Sequence, residues 1–123
     1  MVRALVVDDS RAMRMVMQKW LSSIGLECVL CASASDALQV LAANAPFAVA
    51  IVDWNMPGMT GLELLRHIRS KPEHDAMMLL MATTETDSTQ VKRALDNGAN
   101  EYLMKPFNED SLRKKLALLE VIG

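Results

Sequence analysis

Five short runs of apolar, β-type residues alternate along this chain with five segments whose apolar residues recur every three or four positions. Strands separated by a helix cannot close as hairpins, so the alternation demands crossover connections and a parallel sheet with helices packed on its faces. The runs cover residues 3–7, 27–32, 47–52, 77–82 and 101–104. The third and fourth are nearly continuous in apolar residues, the pattern of strands covered on both sides. At 123 residues, 51% hydrophobic and without a Gly/Ser/Pro-rich tract, the chain is expected to fold as one α/β domain over 1–123.

The helical segments carry their own boundaries. The first runs from about Arg11 to Ile24, with Met13, Val16, Trp20, Leu21 and Ile24 on one stripe and Gly25 as a left-handed cap. A second follows Ser35 with Leu38 and Leu41 inward, and a third begins near Gly61 with Leu62, Leu65 and Ile68 before Lys71-Pro72 stops it. The fourth has Val91, Ala94 and Leu95 and ends at Asn97-Gly98; the fifth starts after the N-cap Asn108 and buries Leu112, Leu116 and Leu119.

Charge and composition narrow the function classes. Thirteen basic and fifteen acidic residues give a net charge of −2, which offers no general attraction to nucleic acid or anionic lipid. The longest apolar stretches, 47–52 and 76–82, fall far short of the roughly 20 residues of a membrane span, and residues 2–7 contain Arg3 and stop at two aspartates, unlike a secretory segment. A cytoplasmic location is expected. Cys28 and Cys31 have redox-motif spacing but lie within a strand, where an odd separation points them to opposite faces, so two buried, inert thiols are expected. Met13, Met15 and Met17 spread around a helix rather than converge, and His67 and His74 straddle Pro72, so neither group reads as a metal site. Trp20 reads as core and Trp54 as a neighbour of Asp53.

An open α/β sheet binds its ligands beyond the carboxyl ends of its strands. Those ends carry Asp8-Asp9-Ser10, Asp53-Trp54-Asn55, Thr83-Thr84-Glu85 and Lys105-Pro106-Phe107. Taken singly, the aspartates are helix caps or turn residues, Thr83 a strand terminus and Lys105 a surface lysine. Taken together, they converge on one rim. Three carboxylates about 4 Å apart repel by roughly 4 kcal/mol per pair at an effective dielectric of 20. Either protonation becomes easier there or a hard divalent cation such as Mg²⁺ sits among the oxygens, with Lys105 neutralising part of the remainder. A phosphoryl group reaching this rim meets a nucleophilic carboxylate, a metal, Lys105 and Thr83.

The stretch Asp53-Trp54-Asn55-Met56-Pro57-Gly58-Met59-Thr60-Gly61-Leu62-Glu63-Leu64-Leu65, with Asp8-Asp9 before it and Lys105-Pro106-Phe107 after it, resembles the response-regulator receivers, most closely the chemotaxis regulators, over essentially the whole chain. The resemblance implies a doubly wound, flavodoxin-like five-stranded parallel sheet of order 2-1-3-4-5. It implies Asp53 as phosphoacceptor, Mg²⁺ bound by Asp9, Asp53 and the Asn55 carbonyl with Asp8 acting through water, Thr83 as switch hydroxyl and Lys105 as phosphate-binding ammonium. Tyr102 matches an aromatic that moves between outward and inward positions, and Lys105-Pro106 a bond that is cis in the family. Asn55 and Glu85 occupy rate-tuning positions. Thr84 stands where Ala or Gly is commoner, which narrows access to Asp53.

The implied partners are a sensor histidine kinase, an output protein such as a flagellar motor switch component, and a phosphatase; the implied chemistry is phosphorylation and hydrolysis of the chain itself rather than turnover of a separate substrate. A flavin binder of the same fold is disfavoured because Asp8-Asp9 repels a cofactor phosphate, and a phosphatase with an Asp nucleophile because Asn55 stands where its second Asp belongs. A stand-alone phosphate sink or relay, or a receiver cut from a larger regulator, stays open at this point.

Overall fold

The five runs become five parallel strands, β1 (Arg3–Val7), β2 (Glu27–Cys31), β3 (Val49–Asp53), β4 (Met78–Thr83) and β5 (Glu101–Met104), hydrogen-bonded in the order β2-β1-β3-β4-β5. Between and after them run α1 (Arg11–Ile24), α2 (Ala34–Ala43), α3 (Gly61–Arg69), α4 (Ser88–Asp96) and α5 (Glu109–Leu118), with a 3-10 turn at Pro72–His74. The structure is a computed structural model that describes residues 2–43, 46–84 and 88–123.

Alternation along the strands splits the interior into two cores, because successive side chains point to opposite faces. Leu5, Val7, Ala50, Val52, Leu79 and Met81 pack against α2, α3 and α4. Ala4, Val6, Val49, Ile51, Leu80 and Leu103 pack against α1 and α5. Central β3 is buried at every position, which is why its sequence lacks a polar alternation. The doubly wound sheet and its strand order are those the sequence implied.

Local chemistry sets the helix ends. Ser10 accepts from the Met13 N–H at 3.2 Å to start α1, and Gly25, at φ 104°, closes it with its N–H on Leu21 and Ser22 carbonyls. Thr60 and Glu63 form a reciprocal capping box at α3, and Asn108 accepts from the Ser111 N–H at 2.8 Å at α5.

The differences from the sequence reading concern boundaries and stripes. Strands β3 and β4 start later than their apolar runs, because Phe47 and Met77 are buried below the ladder rather than in it: Met77 donates its N–H to the His74 carbonyl and closes the 3-10 turn. Both strands also end later, so Asp53 and Thr83 are the last residues of their strands. In α4, Ala94 is buried but Leu95 is 42% exposed, the helical turn carrying it off the stripe. Leu119 lies past the end of α5, yet still packs on the α1/α5 core. Of the three methionines that spread around α1, Met17 is buried and Met13 partly so, both in the α1/α5 core, while Met15 is exposed.

Cys28 and Cys31 do face opposite cores and are free, but Cys28 is only half-buried. Burial raises both thiols, and with Asp36 nearby the Cys31 thiol is pushed up to about 11, so neither is a thiolate at neutral pH. No helix among the described residues is long and apolar enough to cross a membrane.

Candidate functional site

The ladder itself places the acidic residues. Asp8 follows β1, and its N–H still donates to the Cys31 carbonyl at 3.1 Å, so the ladder reaches one residue past the strand; Asp8 is 4% exposed. Its Oδ1 accepts from the Ser10 N–H at 2.9 Å, and its carbonyl accepts from Arg14 Nη1 at 2.8 Å. Asp9, next along, is exposed. Asp53 ends β3 beside Ala82 and is 5% exposed. The ladder continues one residue further, the Trp54 N–H donating to the Ala82 carbonyl at 2.8 Å, and the loop to α3 closes where the Gly61 N–H donates to the Trp54 carbonyl at 3.1 Å.

The fifth strand supplies the counter-charge. Lys105 follows β5, its N–H anchored on the Thr83 carbonyl at 2.8 Å and its bond to Pro106 cis. Its ammonium donates to Asp53 Oδ1 at 2.9 Å and lies 3.5 Å from Asp8 Oδ2. One carboxylate oxygen from each of Asp8, Asp9 and Asp53 lies within 4.8 Å of the others.

Charge is not balanced in this pocket. Burial raises the Asp53 carboxyl above its ordinary range; Lys105 pulls it down by hydrogen bond and charge, Asp8 pushes it up again, and the Asn55 N–H pulls down without restoring it. For Lys105, burial works against the ammonium, but Asp53 and Asp8 prevail and raise it. The Asp53 carboxyl holds its proton harder chiefly because it is buried, whereas the Lys105 ammonium does so because two carboxylates face it. The donor set is all oxygen, partly exposed through Asp9, and fits a hard divalent cation.

The other sequence-derived residues fall around this centre. Thr83 is buried at the end of β4, one residue beyond Asp53's partner Ala82. Asn55 is exposed in the loop after β3. Tyr102 is in β5, paired with Met81, and belongs to the sheet edge rather than to the acidic pocket. Glu85 lies outside the described residues. Thr84 is exposed and, with Met13, Val16, Trp20, Lys105, Pro106 and Phe107, lines a largely apolar groove of ≈ 410 Å³. Trp20 is therefore not plain core: it is half-buried, its ring centroid 5.9 Å from that of Phe107. Arg14, whose guanidinium fixes the Asp8 carbonyl, was not legible as a site residue, since only the helix geometry carries it back six positions.

Residues 4–117 match the family model of the response regulator receiver domain. The chain is 41% identical over 119 residues to chemotaxis protein CheY1 of Helicobacter pylori, covering 96% of each. It is 40% identical over 123 residues to a CheY homolog of Campylobacter jejuni, covering 99% of this chain and 93% of the relative. Among solved structures, Vibrio cholerae CheY4 superposes with a TM-score of 0.91 at 35% identity, over 97% of this chain and 98% of that one. The response regulator TrrA of Thermotoga maritima, in complex with Mg²⁺ and BeF, superposes with a TM-score of 0.84 at 30% identity, over 97% and 99%.

Proposed function

The chain belongs to the response regulator receiver family, and from that premise we propose that it takes a phosphoryl group from a histidine kinase onto Asp53 and signals to a chemotaxis output partner. It is a CheY-like signalling receiver, not an enzyme with a separate substrate. The observation that carries the acceptor assignment is the Asp53 carboxylate, held 2.9 Å from the Lys105 ammonium at a rim it shares with Asp8 and Asp9.

The reaction is a displacement at phosphorus. An Asp53 oxygen forms the new P–O bond, the P–N bond of the phosphohistidine breaks, and the imidazole leaves with the electron pair. Asp9, Asp53 and the Asn55 carbonyl would hold Mg²⁺, with Asp8 acting through water. The bound ion supplies charge neutralisation for the phosphoryl oxygens. Lys105 meets one oxygen from its present position, and the Thr83 hydroxyl meets another. The apolar groove beside Lys105 gives the kinase's histidine-bearing domain a surface next to the acceptor. Water later returns the carboxylate, with or without a phosphatase.

Switching is a population shift. Moving from 1:99 to 99:1 takes about 5.5 kcal/mol, which the Thr83 and Lys105 contacts to the phosphoryl group must largely supply. The output surface is α4, β5 and α5 around Tyr102. The naming of the relatives as chemotaxis proteins supports a flagellar motor switch component as the partner.

Two results test the site. Lys105→Ala should retain much of the labelling by acetyl phosphate but reduce the phosphorylation-induced gain in partner affinity by about tenfold or more, the effect of losing a charge-assisted hydrogen bond. An undiminished gain would remove Lys105 from the switch. In a Trp20→Phe background, Trp54 is the only tryptophan, and Mg²⁺ titration should give a saturable fluorescence change that disappears in Asp9→Ala. A flat titration with Trp54 emissive would count against the metal pocket.

A further inference from the structure

Strand β5 is a sheet edge: among the described residues its strand partner is β4. Edge strands leave backbone N–H groups facing outward that need another acceptor. Here the carboxylate of Glu101 supplies it: Oε1 accepts from the Tyr102 N–H at 3.1 Å. The same oxygen lies 2.9 Å from Nζ of Lys115, on α5. The ammonium also stands 4.5 Å from the centroid of the Tyr102 ring. One carboxylate thus fixes both the backbone of Tyr102 and the cation that covers its ring.

This pair differs from its neighbours on α5. Arg113–Glu109 and Lys114–Asp110 are exposed i,i+4 pairs within one helix and join nothing to the sheet. The Lys115–Glu101 pair spans α5 and β5, with side chains only 27% and 20% exposed. Partial removal from water strengthens the attraction between ammonium and ring face. A lysine stem left unpaired would sample many rotamers and turn its charge to solvent, so Glu101 is what keeps Nζ on the ring.

We propose that Lys115, held by Glu101, is a positioning residue that keeps Tyr102 in its observed place and so sets how readily the ring moves when Asp53 is phosphorylated. The inference rests on the reading of Tyr102 as the moving aromatic of the switch. It adds a restraint specific to these residues. The pair lies between α5 and β5, outside the acidic pocket, so it reaches phosphoryl acceptance only through the conformational equilibrium. Removing the ammonium should raise the displaced fraction of the ring in unphosphorylated protein by roughly fivefold.

Tyr102 is the only tyrosine, so 3-fluorotyrosine gives one ¹⁹F resonance that reports this ring alone. Spectra would be compared for the wild type, Lys115→Met, Lys115→Arg and Glu101→Gln, each without and with Mg²⁺ and beryllofluoride. In the metal-free state the Lys115→Met and Glu101→Gln resonances should move toward the beryllofluoride position of the wild type. Lys115→Arg should restore the wild-type position, and acetyl phosphate labelling of Lys115→Met and Glu101→Gln should be no lower than that of the wild type. A metal-free Lys115→Met resonance that coincides with the wild type, in protein with an unchanged melting temperature, would overturn the proposal. If beryllofluoride leaves the wild-type resonance in place, the switch role of Tyr102 fails and with it the control of switching. The metal-free comparison then still decides whether Lys115 positions the ring.

Discussion

Asp53→Asn is expected to abolish stable, Mg²⁺-dependent labelling by acetyl phosphate and to leave the protein folded and somewhat more stable at neutral pH. The loss follows because an amide of nearly the same shape is not a nucleophile. The gain in stability follows because burial makes the ionised carboxylate costly in the folded pocket. Burial, then Asp8, raises the Asp53 carboxyl above its unfolded value against the pull of Lys105 and the Asn55 N–H. A group raised in this way contributes stability below its unfolded pKa and loses that contribution as pH rises through the folded pKa. In metal-free buffer the melting temperature of Asp53→Asn should therefore exceed that of the wild type at neutral pH. The gap should close as pH falls toward the ordinary carboxylate range. Undiminished labelling of the variant would move the acceptor to another residue, and a gap that widens on acidification would contradict the electrostatic account.

Gly61→Ala should cost stability and phosphoryl acceptance together. Gly61 opens α3 directly against the end of β3, where an added Cβ would collide with the Asp53 carbonyl oxygen and stand 2.9 Å from the Trp54 Cα. These are backbone atoms, so no side-chain rotation relieves the contact. Either α3 moves away from the sheet or the last residue of β3 moves with its carboxylate. Overpacking of this kind costs about 1–3 kcal/mol, and displacement of a reacting group by about 1 Å costs on the order of 100-fold in rate. Gly58→Ala is the control: it carries a φ of 76° but has no atom within 4 Å of an added Cβ. It should lose about 1 kcal/mol from backbone strain and keep its labelling rate. Denaturant unfolding and acetyl phosphate labelling of the two variants separate the outcomes. Equal labelling in Gly61→Ala and wild type would show that the β3–α3 junction tolerates the shift without moving Asp53.

What was legible in the sequence was the part governed by periodicity and by strand ends. Alternating runs imply a parallel sheet, and a parallel sheet brings the residues after its strands to one edge, so Asp8, Asp9, Asp53 and Lys105 could be placed together before any coordinates. Short-range caps at Gly25 and Asn108 were equally readable, because their partners lie within a few residues. Apolarity alone did not distinguish a strand residue from one buried beneath a strand, hence the early starts at 47 and 77. Nor did helical spacing decide which of two adjacent residues faces the core, hence Leu95. The Arg14, Gly61 and Lys115 contacts depend on side-chain reach or backbone approach between elements, and no local pattern encodes those.

The central claim is that Asp53 carries the phosphoryl group, and acyl phosphates can be reduced by borohydride to leave a homoserine at the modified aspartate. Protein incubated with acetyl phosphate and Mg²⁺, reduced and digested, should show homoserine at residue 53 by peptide mass spectrometry. The conversion should be lost when Mg²⁺ is chelated. Homoserine at Asp8 or Asp9 instead, or none in folded protein with Mg²⁺ and donor in excess, would contradict the assignment.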